Sequence, residues 1–178
     1  MNSKQEIRGL IKSLFKTLTP ERKAEMDKRI RALVGKRIAL AGKKPCTVLM
    51  YRALGDEADL DPMMPELLEQ GYTVLLPVVS EDRLVLRRYT GEAGLLTGAF
   101  GISEPTGEEF TDPGSIDLAF IPGRAFSPEG ARLGRGKGYY DRLLPELGCP
   151  KIGVGLPFQL IDGIPAESHD IPMDEVLT

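Results

Sequence analysis

Between residues 3 and 18 the apolar positions are Ile7, Leu10, Ile11, Leu14, Phe15 and Leu18. Spacings of three and four put them in one stripe along an amphipathic helix. Lys4, Arg8, Lys12 and Lys16 repeat every fourth residue on another face and form a cationic ridge. Such a ridge is ordinarily a solvated face. Thr19 then reads as the cap of a second helix, with Pro20 at its first position and Glu21 in its first turn. Ile30, Leu33 and Val34 supply its stripe, and Gly35 reads as its stop.

After residue 35 the pattern changes to short apolar runs. CTVLMY (46–51), TVLLPV (73–78), DLAFIP (117–122) and KIGVG (151–155) predict buried strands, while RLVLRRY (83–89) alternates like a half-exposed one. DPMMPELLEQ (61–70) predicts a helix ending at Gly71, short or kinked because of Pro65. Another helix is expected through YYDRLLPEL (139–147). Strands alternating with helices indicate an α/β fold, a mostly parallel sheet flanked by helices in a Rossmann-like three-layer arrangement. No internal repeat interrupts it, and 178 residues suit a single domain over 1–178.

Hydrophobic residues make up 42% of the chain, enough for a continuous core. The net charge of −3 disfavours a general nucleic-acid binder, so any cationic site must be local. Cys46 and Cys149 lie far apart and form no zinc or redox motif. They read as reduced, buried thiols, with a single disulfide as the alternative. The N-terminal residues lack the apolar stretch of a signal peptide, and VLLPVV (74–79) is too short to span a bilayer. The expectation is a soluble, cytoplasmic, monomeric protein without nucleic-acid or membrane partners.

One stretch changes the picture more than the totals do. GRGKGYYDR (134–142) alternates three glycines with two cations, between a buried strand and a helix. Glycines let a ligand approach the backbone, and cations among them point to an anion. A Walker A loop fails twice, since Ala131 stands where its first glycine belongs and Gly138 where its Ser/Thr belongs. The dinucleotide pattern fails at Tyr139. Freed backbone N–H groups, a helix start, and Arg132, Arg135, Lys137 and Arg142 nevertheless suit a polyphosphate. Asp141, the one acid there, is a natural Mg²⁺ ligand beside bound phosphates.

LGRGKGYYDR, preceded by PGRAFSPEGAR, resembles the signature of the 5-formyltetrahydrofolate cyclo-ligases, also called 5,10-methenyltetrahydrofolate synthetases. The resemblance covers nearly the whole chain. It includes Lys4-x-x-x-Arg8, Asp56-Glu57, FGISEPTG (100–107) and the closing H-D-x-x-x-D-E-V (169–176). Arg52 and Arg124 depart from the family pattern, which more often has small or apolar residues there.

The resemblance implies an ATP-dependent ligase. ATP phosphorylates the formyl oxygen of 5-formyltetrahydrofolate, N10 attacks the activated carbon, and phosphate leaves as the methenyl ring closes. Because the substrate supplies both nucleophiles, the protein positions and neutralises charge. The implied nucleotide contacts are Lys4, Gln5, Glu6, Ile7 and Arg8 on the first helix, and Arg132, Leu133, Gly134, Arg135, Gly136, Lys137, Gly138, Tyr139 and Tyr140 in the loop. Arg135 and Lys137 are the implied catalytic cations. Asp141 and Asp170 match the family's Mg²⁺ positions, and Glu57 its folate-contacting acid, with Arg52 on the same wall. His169, the single histidine, is either a general base or a structural neighbour of Asp170. The competing readings are a non-catalytic ATP- and folate-binding regulator and a sugar-phosphate isomerase or CoA-transferase relative. The latter would need its own base or glutamate nucleophile and no ATP.

Overall fold

The structure, a computed structural model, describes residues 3–98, 101, 103–168 and 170–178. Helix α1 (Lys4–Thr17) is started by Ser3, whose hydroxyl accepts from the Glu6 N–H while the Glu6 carboxylate accepts from the Ser3 N–H. Of the expected stripe only Ile7 and Ile11 are fully buried. Ile7 and Ile11 pack with Ala125, Leu133 and Ile164, whereas Leu10 is 47% exposed. Helix α2 (Pro20–Ala39) begins at Thr19 as expected but runs straight through Gly35. Glycine inside a helix costs about 1 kcal/mol, and burial of Val34 and Ile38 on either side of it outweighs that. Helix α3 (Met63–Glu69) tolerates Pro65 because the proline falls in the first turn, where no intrahelical donor is required.

The principal sheet has seven strands: β1 (Thr47–Leu49), β2 (Thr73–Ser80), β3 (Arg83–Arg88), β6 (Glu109–Phe110), β7 (Leu118–Pro122), β10 (Lys151–Val154) and β11 (Glu175–Leu177). Their order is β11-β10-β7-β1-β2-β3-β6. Strands β11 to β2 are parallel, and β3 and β6 extend the sheet antiparallel at one edge. Two small ribbons stand apart from it, β4 (Leu95–Thr97) with β5 (Ser103–Pro105), and β8 (Ala125–Phe126) with β9 (Arg132–Leu133).

Alternation along the central strands divides the core between two faces. Val48, Val74, Leu118 and Ile152 join Ile30, Val34 and Met64 of α2 and α3. Leu49, Leu75, Ala119 and Ile121 face Leu143, Leu144 and Leu147. That second cover is shorter than the sequence predicts. Helix α4 is Tyr139–Leu143 alone, continued by a 3₁₀ turn over Leu144–Glu146, because Pro145 has no N–H to extend the α ladder. The three-layer α/β architecture holds. Both cysteines are buried free thiols. No helix among the described residues is long and apolar enough to cross a membrane.

Candidate active site

Strand order reverses around β1. The chain passes from β1 to β2 on one side and later returns to β7 on the other. Ligands in open α/β sheets bind at such a reversal, outside the carboxyl ends of the strands. The segments that leave β1 and β7 there are 51–61 and 122–138, and a cavity of about 480 Å³ lies between them. Tyr51, Leu54, Pro77, Val79 and Leu84 give it an apolar floor suited to flat rings, and Arg132, Arg135 and Lys137 a cationic rim.

The acidic wall is fixed from below. The Asp59 N–H donates to Asp27 Oδ1 at 3.0 Å, and Arg31 donates to the Asp59 carbonyl at 2.9 Å. Asp27 is buried in α2 and also takes Lys23 at 2.8 Å. The Tyr51 hydroxyl donates to the Ala58 carbonyl at 2.8 Å. These bonds tie residues 58 and 59 to α2 and to the end of β1, and Glu57 lines the cavity beside them. Glu57 is buried and accepts from the Leu54 N–H at 3.0 Å.

The cationic wall is built on glycine. Gly136 (φ 93°) and Gly138 (φ 69°) occupy the left-handed region, the second at the start of α4. Gly134 has no positive φ, and a Cβ there would stand 3.1 Å from the Arg132 guanidinium, which would have to shift. Arg8 of α1 donates to the Gly134 carbonyl at 2.9 Å and so tethers the loop. Arg132 is nearly buried, bonds Asp141 at 2.6 Å and stacks over Tyr140 with its guanidinium carbon 5.3 Å from the ring centre. Burial raises the Tyr140 phenol, which stays protonated as a donor. With α4 barely more than one turn long, an anion at this wall would meet side chains and loop amides rather than a helix dipole.

Arg135 crosses the cavity. Its Nη2 bonds Glu57 Oε1 at 3.0 Å and also Asp56, whose other carboxylate oxygen takes Arg124. Burial pushes the Asp56 carboxyl up, but the two guanidiniums outweigh it and hold it below its ordinary value of 3.8. Arg124 is itself anchored. Its N–H bonds the Leu133 carbonyl, and its carbonyl accepts from buried Gln159 at 3.0 Å.

The cavity thus brings together Arg52, Glu57, Asp141 and the loop residues Arg132, Gly134, Arg135, Gly136, Lys137, Gly138, Tyr139 and Tyr140. Arg52 bonds Asp61 at 3.3 Å and Glu92 at 3.1 Å rather than Glu57. Leu133 is buried in β9 below the rim. The first-helix residues do not line the cavity. Lys4 bonds Glu167 at 2.8 Å and Asp170 at 3.1 Å, Gln5 and Glu6 are exposed, and Ile7 is in the core. His169, Phe100 and Ile102 lie outside the described residues. The sequence gives neither Asp56 nor Arg124 a partner. Their ion pair joins residues 68 positions apart, and no local spacing signals it.

Among the described residues no three carboxylate, histidine or cysteine side chains converge as a metal cage. Magnesium prefers few protein carboxylates and takes its other oxygens from phosphate and water. Asp141 on the cavity wall therefore fits an ion that arrives on a nucleotide.

Comparison with known proteins gives one answer. The model of the 5-formyltetrahydrofolate cyclo-ligase family matches residues 1–178. A 5-formyltetrahydrofolate cyclo-ligase of Mycolicibacterium smegmatis is 38% identical over 74% of this chain and 73% of its own length. One of Escherichia coli K12 is 29% identical over 95% and 96%. The NMR structure of Aquifex aeolicus 5,10-methenyltetrahydrofolate synthetase superposes with a TM-score of 0.84 at 35% identity, covering 98% of this chain and 88% of that one. The synthetase from Mycoplasma pneumoniae gives 0.78 at 27% identity, covering 99% and 98%.

Proposed function

The chain belongs to the 5-formyltetrahydrofolate cyclo-ligase family, and from that premise we propose that it converts 5-formyltetrahydrofolate to 5,10-methenyltetrahydrofolate with consumption of ATP. The observation that carries this reading is a glycine loop bearing Arg135 and Lys137, set across one cavity from Glu57. Such a cleft can hold a polyphosphate against one wall and a hydrogen-bonding heterocycle against the other. Neither the isomerase nor the CoA-transferase reading is favoured by the family match.

The formyl group of the substrate is an amide, and its oxygen is a poor leaving group until esterified. Transfer of the γ-phosphoryl group of ATP to that oxygen makes it one. N10 then attacks the formyl carbon and loses its proton, and the C–O bond breaks with release of phosphate, which carries that proton away. The protein needs no nucleophile of its own. Arg132 and Lys137 cradle the phosphates, Arg135 follows the moving charge, and Glu57 accepts an N–H of the pterin. Arg8, already bonded to the Gly134 carbonyl, and Lys4 one turn before it would extend the nucleotide site beyond the cavity at the α1 end, with Gln5, Glu6 and Ile7 forming the turn between them. Leu133, Gly134, Gly136 and Gly138 shape the cradle, and Tyr139 and Tyr140 close it beside Arg52 on the folate wall. Asp141, with Asp170, would hold Mg²⁺, which screens phosphate charge. The working compartment is the cytoplasm and the working form a monomer.

The test is the appearance of methenyltetrahydrofolate absorbance from 5-formyltetrahydrofolate with and without Mg-ATP. Formation only with nucleotide supports the reading. Folate and nucleotide binding without turnover would make the chain a regulator of the same fold.

A further inference from the structure

Asp56 has no role in the chemistry above, yet it joins both walls of the cleft. It takes Arg124 on one carboxylate oxygen and Arg135 on the other, while Arg135 also holds Glu57 at 3.0 Å. The two guanidiniums differ in freedom. The Arg124 backbone is bonded at both its N–H and its carbonyl, and its side chain is 14% exposed. Arg135 rides on a loop between Gly134 and Gly136, and its side chain is 36% exposed. Arg135 can therefore swing away while Arg124 stays, and Asp56 is not left as a half-buried carboxylate without a counter-ion.

We infer that Asp56 is a positioning residue that latches Arg135 to the folate wall, and that displacing this latch couples folate binding to nucleotide binding. The inference rests on the assignment of Glu57 to folate and Arg135 to phosphate. Folate that takes up Glu57 must displace Arg135, and nucleotide that recruits Arg135 must do the same. Each ligand binding alone breaks the latch, and the second finds it already broken. The consequence is positive coupling, equal in both directions by linkage. Arg124 sets its size, because the latch is easier to open when Asp56 keeps a second partner.

Calorimetric titration of the full chain tests this with β,γ-imido-ATP, which cannot transfer its phosphoryl group, plus Mg²⁺, in the absence and presence of saturating 5-formyltetrahydrofolate. The unaltered chain should bind the nucleotide about five-fold or more tightly when folate is present, with the same factor for folate in the converse titration. Asp56→Asn should tighten the nucleotide in the absence of folate and shrink the factor towards one. Arg124→Leu should enlarge the factor, because Arg135 then becomes the only counter-ion of Asp56. A simple loss of negative charge near the phosphates would tighten the nucleotide equally with and without folate. A factor that stays the same in Asp56→Asn overturns the latch, as does a factor of one in the unaltered chain. Failure of either ligand to bind the unaltered chain would instead remove the functional reading itself, and the latch with it.

Discussion

Glu57 and Lys137 occupy opposite walls of one cavity, and their substitutions should separate the two substrates. Glu57 accepts from the Leu54 N–H and from Arg135, so a Gln there keeps the shape and loses the charge. Losing one charged hydrogen bond is worth about 1.5–3 kcal/mol, or roughly ten- to a hundred-fold in affinity. Glu57→Gln should weaken 5-formyltetrahydrofolate by that factor in calorimetric titration and leave nucleotide affinity intact or improved. A weaker nucleotide with unchanged folate would mean that the walls have been assigned the wrong way round. Lys137→Ala should lower kcat by about 10²–10³, the usual effect of removing a preorganised charge stabiliser, while folate affinity holds. Unchanged kcat in a folded variant would remove Lys137 from the reaction. Asp141→Asn and Asp170→Asn should each raise the Mg²⁺ midpoint for turnover, since an amide is a poor magnesium ligand. Identical midpoints in parent and variants would show that neither residue holds the ion.

At the scale of elements, the loop before α4 depends on backbone that only glycine adopts cheaply. Gly138 sits at φ 69°, where a Cβ costs about 1 kcal/mol and would also stand 3.0 Å from the Arg142 side chain. Gly138→Ala should lower unfolding stability in urea by about that amount and turnover by more, because the loop must also hold Lys137 in place. Full activity would mean that the loop conformation is not what positions the cations. Elements of this size explain what the sequence concealed. The strands β1, β2, β7 and β10 are read from runs of consecutive apolar residues, and all form. The pairs β8–β9 and β4–β5 have two or three residues per strand, too few for any period, and depend on tertiary contacts. Gly35 misled for a related reason. A local stop signal lost to the burial of Val34 and Ile38 against the sheet. The glycine loop was legible because its chemistry lies within nine consecutive residues. Asp56 with Arg124, and Asp27 beneath them, were not, because those bonds join segments that are distant along the chain.

For the whole molecule, function follows from where the strand order reverses. The chain puts one wall after β1 and the other after β7, so two substrates can meet between walls that belong to distant stretches of sequence. Arg8 from α1 ties the N-terminal helix to the same loop, and Asp27 and Arg31 tie α2 to the acidic wall. The first two helices thus brace the site from outside the sheet. Such a cleft suits a reaction in which the substrates supply the nucleophiles and the protein supplies position and charge. In the proposed reaction the phosphate leaves with the formyl oxygen of the folate. Turnover of 5-formyltetrahydrofolate carrying ¹⁸O in its formyl group, with unlabelled ATP and followed by mass spectrometry of the released phosphate, tests this most directly. One ¹⁸O in each phosphate formed is the expected result. Unlabelled phosphate accompanying methenyltetrahydrofolate would contradict it.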